Sequence, residues 1–449
     1  MARVRRGSHS PDPVPLWRNA DYRWWLAADT SPALGRSLLT LAVPLLALAV
    51  TGSPAQAGVV TAVGAVGRVL AVLPGGVLTD RHDRRVLILA GAGVGVVVAA
   101  TLAVLLACGL LDFWLLTLLN LVLAVRSGLV DATPNAALPS VVDSSRLGSA
   151  VAANQGRDAV VSLTGGPIGG VLMAVGHAVP FVATAILYAG TAVAVLRIRA
   201  DLRPGAGAPG TADAASVRDE ASAERVHGTD ERPAHPGWLA EAWAGFAWLA
   251  GRPELRGVMA VSTIVNLGIG AAMTAVVFGL QQRGESPATI GLTSASVGAG
   301  LLVGSLVAPF LVQRVPTGVL AGTGLVALAG ALAVLPFVHA VPAVCAALAA
   351  GMAAAPAINA GLLGYFMVAV PSRLLGRASS ALDLLALGAV PLAPLLAGFG
   401  YTAWGWSGVL TLCAGIGGIA AVLALASRGL RSLPSAPRWS EHAAGAAAG

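Results

Sequence analysis

A chain of 449 residues that is 56% hydrophobic and 11% charged carries less than half the charge of an ordinary soluble domain, which is about 25%. With a mean hydropathy of +0.78, that balance excludes a soluble globular protein: the medium around most of these side chains is lipid. All 28 basic residues are arginine, which, with the richness in Ala, Gly, Pro and Val, looks like the codon bias of a GC-rich bacterial genome.

The chain opens on a basic, proline-containing stretch, residues 1–21. The apolar run behind it is too long for a signal-peptide core, so these residues read as a cytoplasmic tail before a retained helix. Crossing the hydrocarbon core takes about 20 apolar residues as a helix. Runs bounded by charge, Pro or Gly give twelve such candidates, at 22–50, 55–79, 86–108, 113–137, 151–174, 180–199, 255–280, 288–312, 318–338, 342–370, 378–400 and 408–427. Barrel strands are shorter and alternate in polarity, so the expected fold is an all-α membrane protein. Its first six-helix bundle covers 22–199 and its second 254–427. Residues 200–253 form a polar linker, rich in Pro, Gly and charge, that ends in a stretch with Trp238, Trp243, Phe246 and Trp248; those aromatics suit a helix lying on the membrane surface. Residues 428–449 form a second tail. With both tails inside, one set of loops carries Arg81, Arg84, Arg85, Arg146, Arg314, Arg373 and Arg377, and the opposite set only Arg283. This is the arginine asymmetry of a multi-pass protein with cytoplasmic termini. The three cysteines fall in apolar runs, which argues against a disulfide framework or a metal site, and no cofactor is expected.

Two similar halves around a central loop form a transporter architecture. The turn after the second run, "GGVLTDRHDRR", resembles the loop signature of the major facilitator superfamily. Its positions here are Gly76, Leu78, Asp80, Arg81, Arg84 and Arg85. Asp83 departs from the family's usual glycine. The segments "LWRNADYRWWLAADTSPALG" and "ATPNAALPSVVDSSRLGSAVAANQ" are similar to the branch of siderophore, macrolide and multidrug exporters. The resemblance implies the major facilitator fold of twelve transmembrane helices in two halves. It also implies a latch at the cytoplasmic side, in which Asp80 accepts hydrogen bonds from Arg84 or from the start of helix eleven, near Gly376–Ser379. Asp131 is a further partner for Arg84. In the fifth run, Gly166, Pro167 and Gly170 resemble the family's antiporter signature, with Gly169 out of register. The bland reading is small-residue packing between helices.

Ionisable groups inside a membrane are costly and are functional candidates by default. Arg36, Arg68 and Arg126 fall midway along their runs, with Asp29 and Asp131 nearer the cytoplasm. Asp29 and Arg36, seven residues apart, share a helix face. Arg126 and Asp131, five apart, lie roughly 140° around the helix and are expected not to meet. In the family's fold the cavity candidates are Asp29, Arg36, Arg126, Asp131, Asn266 and Asn359. Three mid-membrane arginines suit a substrate with a carboxylate, phosphate or catecholate, unless internal Arg–Asp pairing neutralises them. For a proton-carrying carboxylate, Asp29 is the first choice, followed by Asp131 and Asp383.

No Walker A, HExxH or GxSxG motif is present, so an enzyme is not expected. The reading is a proton-coupled exporter of small molecules in a bacterial cell membrane, acting as a monomer, with the lipid bilayer and no nucleic acid as partners. A solute importer of the same fold, and a membrane sensor or lipid-handling protein, are the alternatives.

Overall fold

The structure, a computed structural model, describes residues 16–204, 253–370 and 388–442. Among these, eleven helices are long and apolar enough to cross a membrane. They are α1 (Ala20–Thr51), α2 (Pro54–Arg81), α3 (Arg84–Ala107), α4 (Phe113–Val130), α5 (Leu147–Val175), α6 (Val179–Arg197), α7 (Pro253–Gln282), α8 (Pro287–Arg314), α9 (Thr317–Val334), α10 (Val341–Ala369) and α11 (Leu392–Ala426). A turn at 353–354 interrupts α10. The last helix is two arms that meet at Gly405, where φ is 63°. The sequence reading separates these arms as its eleventh and twelfth spans, and the first of them is described only from residue 388. The surface helix expected around Trp238–Trp248, and Asp383, Arg373 and Arg377, lie outside the described residues.

Local chemistry sets the helix ends. Asn19 caps α1 by accepting from the amides of Asp21 and Tyr22 at 3.0 and 3.2 Å, which satisfies donors that a helix start leaves open. Gly52, with φ 64°, turns the chain into Pro54 at the start of α2. Asp112 caps α4 through the Leu115 amide at 2.8 Å, and Ser286 caps α8 through Thr289 at 3.1 Å.

Both described chain ends lie at one end of the bundle, here the tail end, together with Asp80–Arg85. The opposite, far end holds the turns at Gly52, Gly109 and Gly284. The two halves, α1–α6 and α7–α11, meet along two helix pairs, α2 with α11 and α5 with α8. Both meetings are backbone-close. A methyl group on Gly58 would sit 2.5 Å from the Pro394 carbonyl oxygen and 3.2 Å from the Gly398 Cα. One on Gly170 would sit 2.5 Å from the Pro287 carbonyl oxygen and 3.0 Å from the Gly291 Cα. Lipid gives apolar helices little reason to associate, so such close packing of small residues is what joins them.

These contacts all fall toward the far end. The largest core cluster crosses the halves there, combining Leu41–Leu48 of α1 with Ala271–Leu280 of α7 and Ala393 and Ala397 of α11. Gln281 adds a bond from its amide to the Leu45 carbonyl at 2.8 Å. Toward the tail end each remaining cluster belongs to one half. Continuing the α5–α8 seam at helical spacing leads to Ala159, Gly156 and Ala152 on one side and Leu302 and Ser305 on the other, all exposed. Among the described residues the halves are therefore sealed at the far end and parted at the tail end.

Past α11 the chain folds back over the second half alone. Leu430 and Leu433 are buried, and the amides of Thr317 and Gly318 donate to the carbonyls of Pro434 and Leu433, both at 3.2 Å. The Trp439 indole donates to the Thr317 hydroxyl at 3.0 Å, and His442 meets the Tyr365 hydroxyl at 3.0 Å.

Gly170→Val should lower the melting temperature in detergent, because overpacking a tight contact costs about 1–3 kcal/mol. Gly93→Val, on a face with nothing within 4 Å, is the matched control and should leave it unchanged.

Candidate functional site

The ionisable groups of the first half gather between α1, α4 and α5. Asp131, at the C-cap of α4, accepts from Arg36 of α1, from Ser127, and from Arg126 at 3.2 Å. Two expectations are corrected here. Arg126 and Asp131 do meet, because the long arginine side chain carries its guanidinium around the last turn of the helix. Asp131 pairs with Arg36 and Arg126 rather than with Arg84, because the end of α4 directs its carboxylate into the bundle. Arg126 is 6% exposed and lies 4.3 Å from the Tyr188 ring centroid, a cation–π contact that helps to hold a desolvated guanidinium.

A second pair completes the cluster. Arg157 of α5 donates to Asp29 at 2.6 Å and to Asp158 at 2.7 Å, with a longer contact to the Thr30 hydroxyl at 3.4 Å. The sequence reading missed Arg157. It lies inside the run 151–174, and the signal that finds it is its spacing from Gly165 and Gly169, which puts it on the face of α5 that meets α1. Asp29 and Arg157 are both largely buried, with side chains 9% and 13% exposed.

Above the cluster, at mid-depth, an open cavity of about 270 Å³ lies between α1, α2, α4 and Tyr188 of α6. Arg36 and Arg68 both line it. Asn266 on α7 and Asn359 on α10 are exposed and lie outside this cavity, in the other half.

Solved structures share the fold. A bacterial homologue of the human lysosomal transporter Spinster, in an inward-facing and unoccupied conformation, matches with a TM-score of 0.71 at 14% identity, over 94% of this chain and 99% of that one. The fold is that of the major facilitator superfamily. The nucleoside transporter NupG matches with a TM-score of 0.65 at 13% identity, over 90% of this chain and 100% of that one. A bacterial homologue of the iron transporter ferroportin, inward-facing, gives 0.60 at 14% identity, over 93% and 100%. The family described as transmembrane secretion effector matches residues 13–210. No curated relative matches this chain at the sequence level.

Within the major facilitator fold, the loop between α2 and α3 divides its work. Asp80 and Arg81 are exposed, and Asp80 has no ion pair or hydrogen bond among the described residues; it does not bond Arg84. The expected contact near Gly376–Ser379 falls outside those residues. Gly76 faces open space, whereas its neighbour Gly75 lies 2.5 Å, by the same methyl test, from the Gly128 carbonyl oxygen of α4. Asp83 caps α3 by accepting from the Arg85 amide at 2.9 Å, a task glycine cannot perform, which accounts for the departure at that position. Arg85 reaches the Ile198 and Ala200 carbonyls at 2.7 and 3.0 Å. A cation there complements the C-terminal end of α6. In α5, Gly166 faces Ser294 and Gly170 faces Gly291 across the seam, while Gly165 and Gly169 face Ser37 and Leu38 of α1. Pro167 lies on the α8 side, its Cα 3.3 Å from a methyl group placed on Gly291.

Removing one partner of a buried ion pair costs about 3–5 kcal/mol, while replacing both is far milder. Asp29→Leu and Arg157→Met should each lower thermal stability markedly. The double variant should recover most of the loss, as a double-mutant cycle of melting temperatures will report.

Proposed function

We propose that this chain is a proton-coupled exporter of small molecules that works by alternating access of its two halves. The observation that carries the reading is the one-sided closure: a glycine-tight seam at the far end and parted helices at the tail end, with buried ion pairs beside the opening. Arg81, Arg84, Arg85, Arg146 and Arg314 gather at the tail end against Arg283 at the other. That bias favours a cytoplasmic tail end in a bacterial cell membrane, so the opening faces the cytoplasm and can load an exported molecule.

The latch fits the same reading. In a state open to the cytoplasm, Asp80 has nothing to hold. Once the halves rock, it closes on the start of the span that ends in the first arm of α11, with Gly76, Arg81 and Arg84 at its side. Gly166, Pro167 and Gly170 supply the seam on which that rocking turns, and their likeness to the antiporter signature favours export. Asp29 is the proposed proton carrier. Its protonation would release Arg157 and loosen α1 from α5. The energy then comes from a proton gradient, with no bound cofactor, and a monomer holds every part of the cycle.

Inverted membrane vesicles with an imposed inward-acid gradient should accumulate substrate. Gradient-independent equilibration would make the chain a facilitator instead. Asp80→Asn should slow turnover about tenfold, the scale of one charge-assisted hydrogen bond, at unchanged protein abundance. Asp29→Asn should abolish proton movement coupled to substrate while exchange of substrate for substrate persists.

A further inference from the structure

We infer that the mid-depth cavity between α1, α2 and α4 binds an anionic group, a carboxylate or phosphate carried on an apolar body, with Arg68 as its principal anchor and Arg36 beside it. The inference names a substrate class for the exporter proposed above and rests on that reading for the word substrate. The binding site itself rests on geometry.

Most neutral donors in the cavity already have partners. The Thr40 hydroxyl donates to the Arg36 carbonyl at 3.0 Å, and the Thr61 hydroxyl to the Ala57 carbonyl at 2.9 Å. Asn120 donates an amide N–H to the Val60 carbonyl at 3.0 Å. The Ser127 hydroxyl is bound to Asp131. The two threonines and Ser127 therefore serve their own helices, and Asn120 ties α4 to α2. Arg68 is different. It is exposed to the cavity and has no hydrogen bond or ion pair among the described residues. The Tyr188 hydroxyl, on the same wall, also has no partner among them. Arg36 gives one nitrogen to Asp131 and is 38% exposed, which leaves further N–H groups toward the cavity.

The charge balance points the same way. Arg36 and Arg126 share one carboxylate, Asp131, Asp29 is occupied by Arg157, and Arg68 lines the cavity with no carboxylate among its lining residues. Internal pairing thus neutralises part of the cluster and leaves an excess of positive charge at the cavity. A guanidinium held at mid-depth with no counter-charge is costly, and an acceptor-rich anion is the ligand that relieves it, since a guanidinium offers donors in a fixed fork and no acceptor. Leu39, Val43, Pro44 and Leu123 form the remaining wall and suit an apolar body on that anion.

The test is binding to the purified full chain in neutral detergent, read as thermal stabilisation by 1-naphthoate, by its methyl ester and by 1-naphthylmethylamine. The carboxylate should stabilise the protein saturably, and the ester and amine should not. Arg68→Gln should weaken the carboxylate about tenfold or more without lowering the unliganded melting temperature, since Arg68 bonds nothing in the fold and its charge is costly there. Arg68→Lys should retain part of the affinity. A short-chain phosphatidylglycerol, run in parallel, separates the sources: Arg68-dependent stabilisation by it alone makes the anion a lipid headgroup, and by naphthoate a soluble solute. Equal stabilisation by all three naphthalene compounds, or no Arg68-dependent stabilisation by either anion, overturns the site. No gradient is involved, so a chain that binds the anion yet fails to accumulate substrate in vesicles would keep the site and lose the export reading.

Discussion

Close backbone approach between helices of opposite halves is the constraint on which the rest of the structure depends. In lipid, exchanging an apolar side chain's lipid neighbours for protein neighbours gains little, and helices associate through packing and hydrogen bonds. At Gly58 with Gly398, and at Gly170 with Gly291, the absence of a Cβ lets one backbone lie against another. Both pairs lie toward the same end, and the shared core of α1 and α7 fills the space between them. Among the described residues the halves are tied at one end only, and each is a separate body at the other.

The two halves are built from different chemistry. The first buries Asp29, Arg126 and Arg157 in two neighbouring groups of ion pairs and carries the polar cavity. The described interior of the second is aliphatic and aromatic, and its small cavity is lined by residues such as Ile269, Leu328 and Met352. A desolvated charge must keep its partners, so α1, α4 and α5 are held in register by Arg36, Asp131, Arg157 and Asp29. Among the described residues the second half has no ion pair; packing holds it, aided by bonds such as that from the Trp406 indole to the Leu335 carbonyl at 3.2 Å and by the returning chain around Trp439. Chemistry is thus placed in one body and mechanical closure in the contacts between the two.

Much of this was legible in the sequence. Apolar run lengths located the spans within the described residues to within a few positions, because the thickness of the hydrocarbon core fixes them. The family resemblance rested on "GGVLTDRHDRR" and on the glycines of α5, and the fold it implied is the one observed. What escaped the sequence were pairings between helices. Helical spacing set Arg126 apart from Asp131 because the angle between Cα positions ignores the reach of an arginine. Arg157 was passed over because its partner, Asp29, is 128 residues away, and no local pattern joins them. Asp83 was an anomaly until its place as a helix cap appeared, since capping depends on where the helix begins.

The returning chain beyond α11 has a consequence for observing this protein at work. It touches α7, α9 and α10 of the second half and crosses neither seam. Trp439 is therefore carried as cargo on one rigid body. Its indole, held between Thr317 and the Pro434 carbonyl, becomes a fluorescent pointer once the other nine of the ten tryptophans are replaced by phenylalanine, and its distance to a probe on the exposed Asp80 loop would then read the angle between the halves.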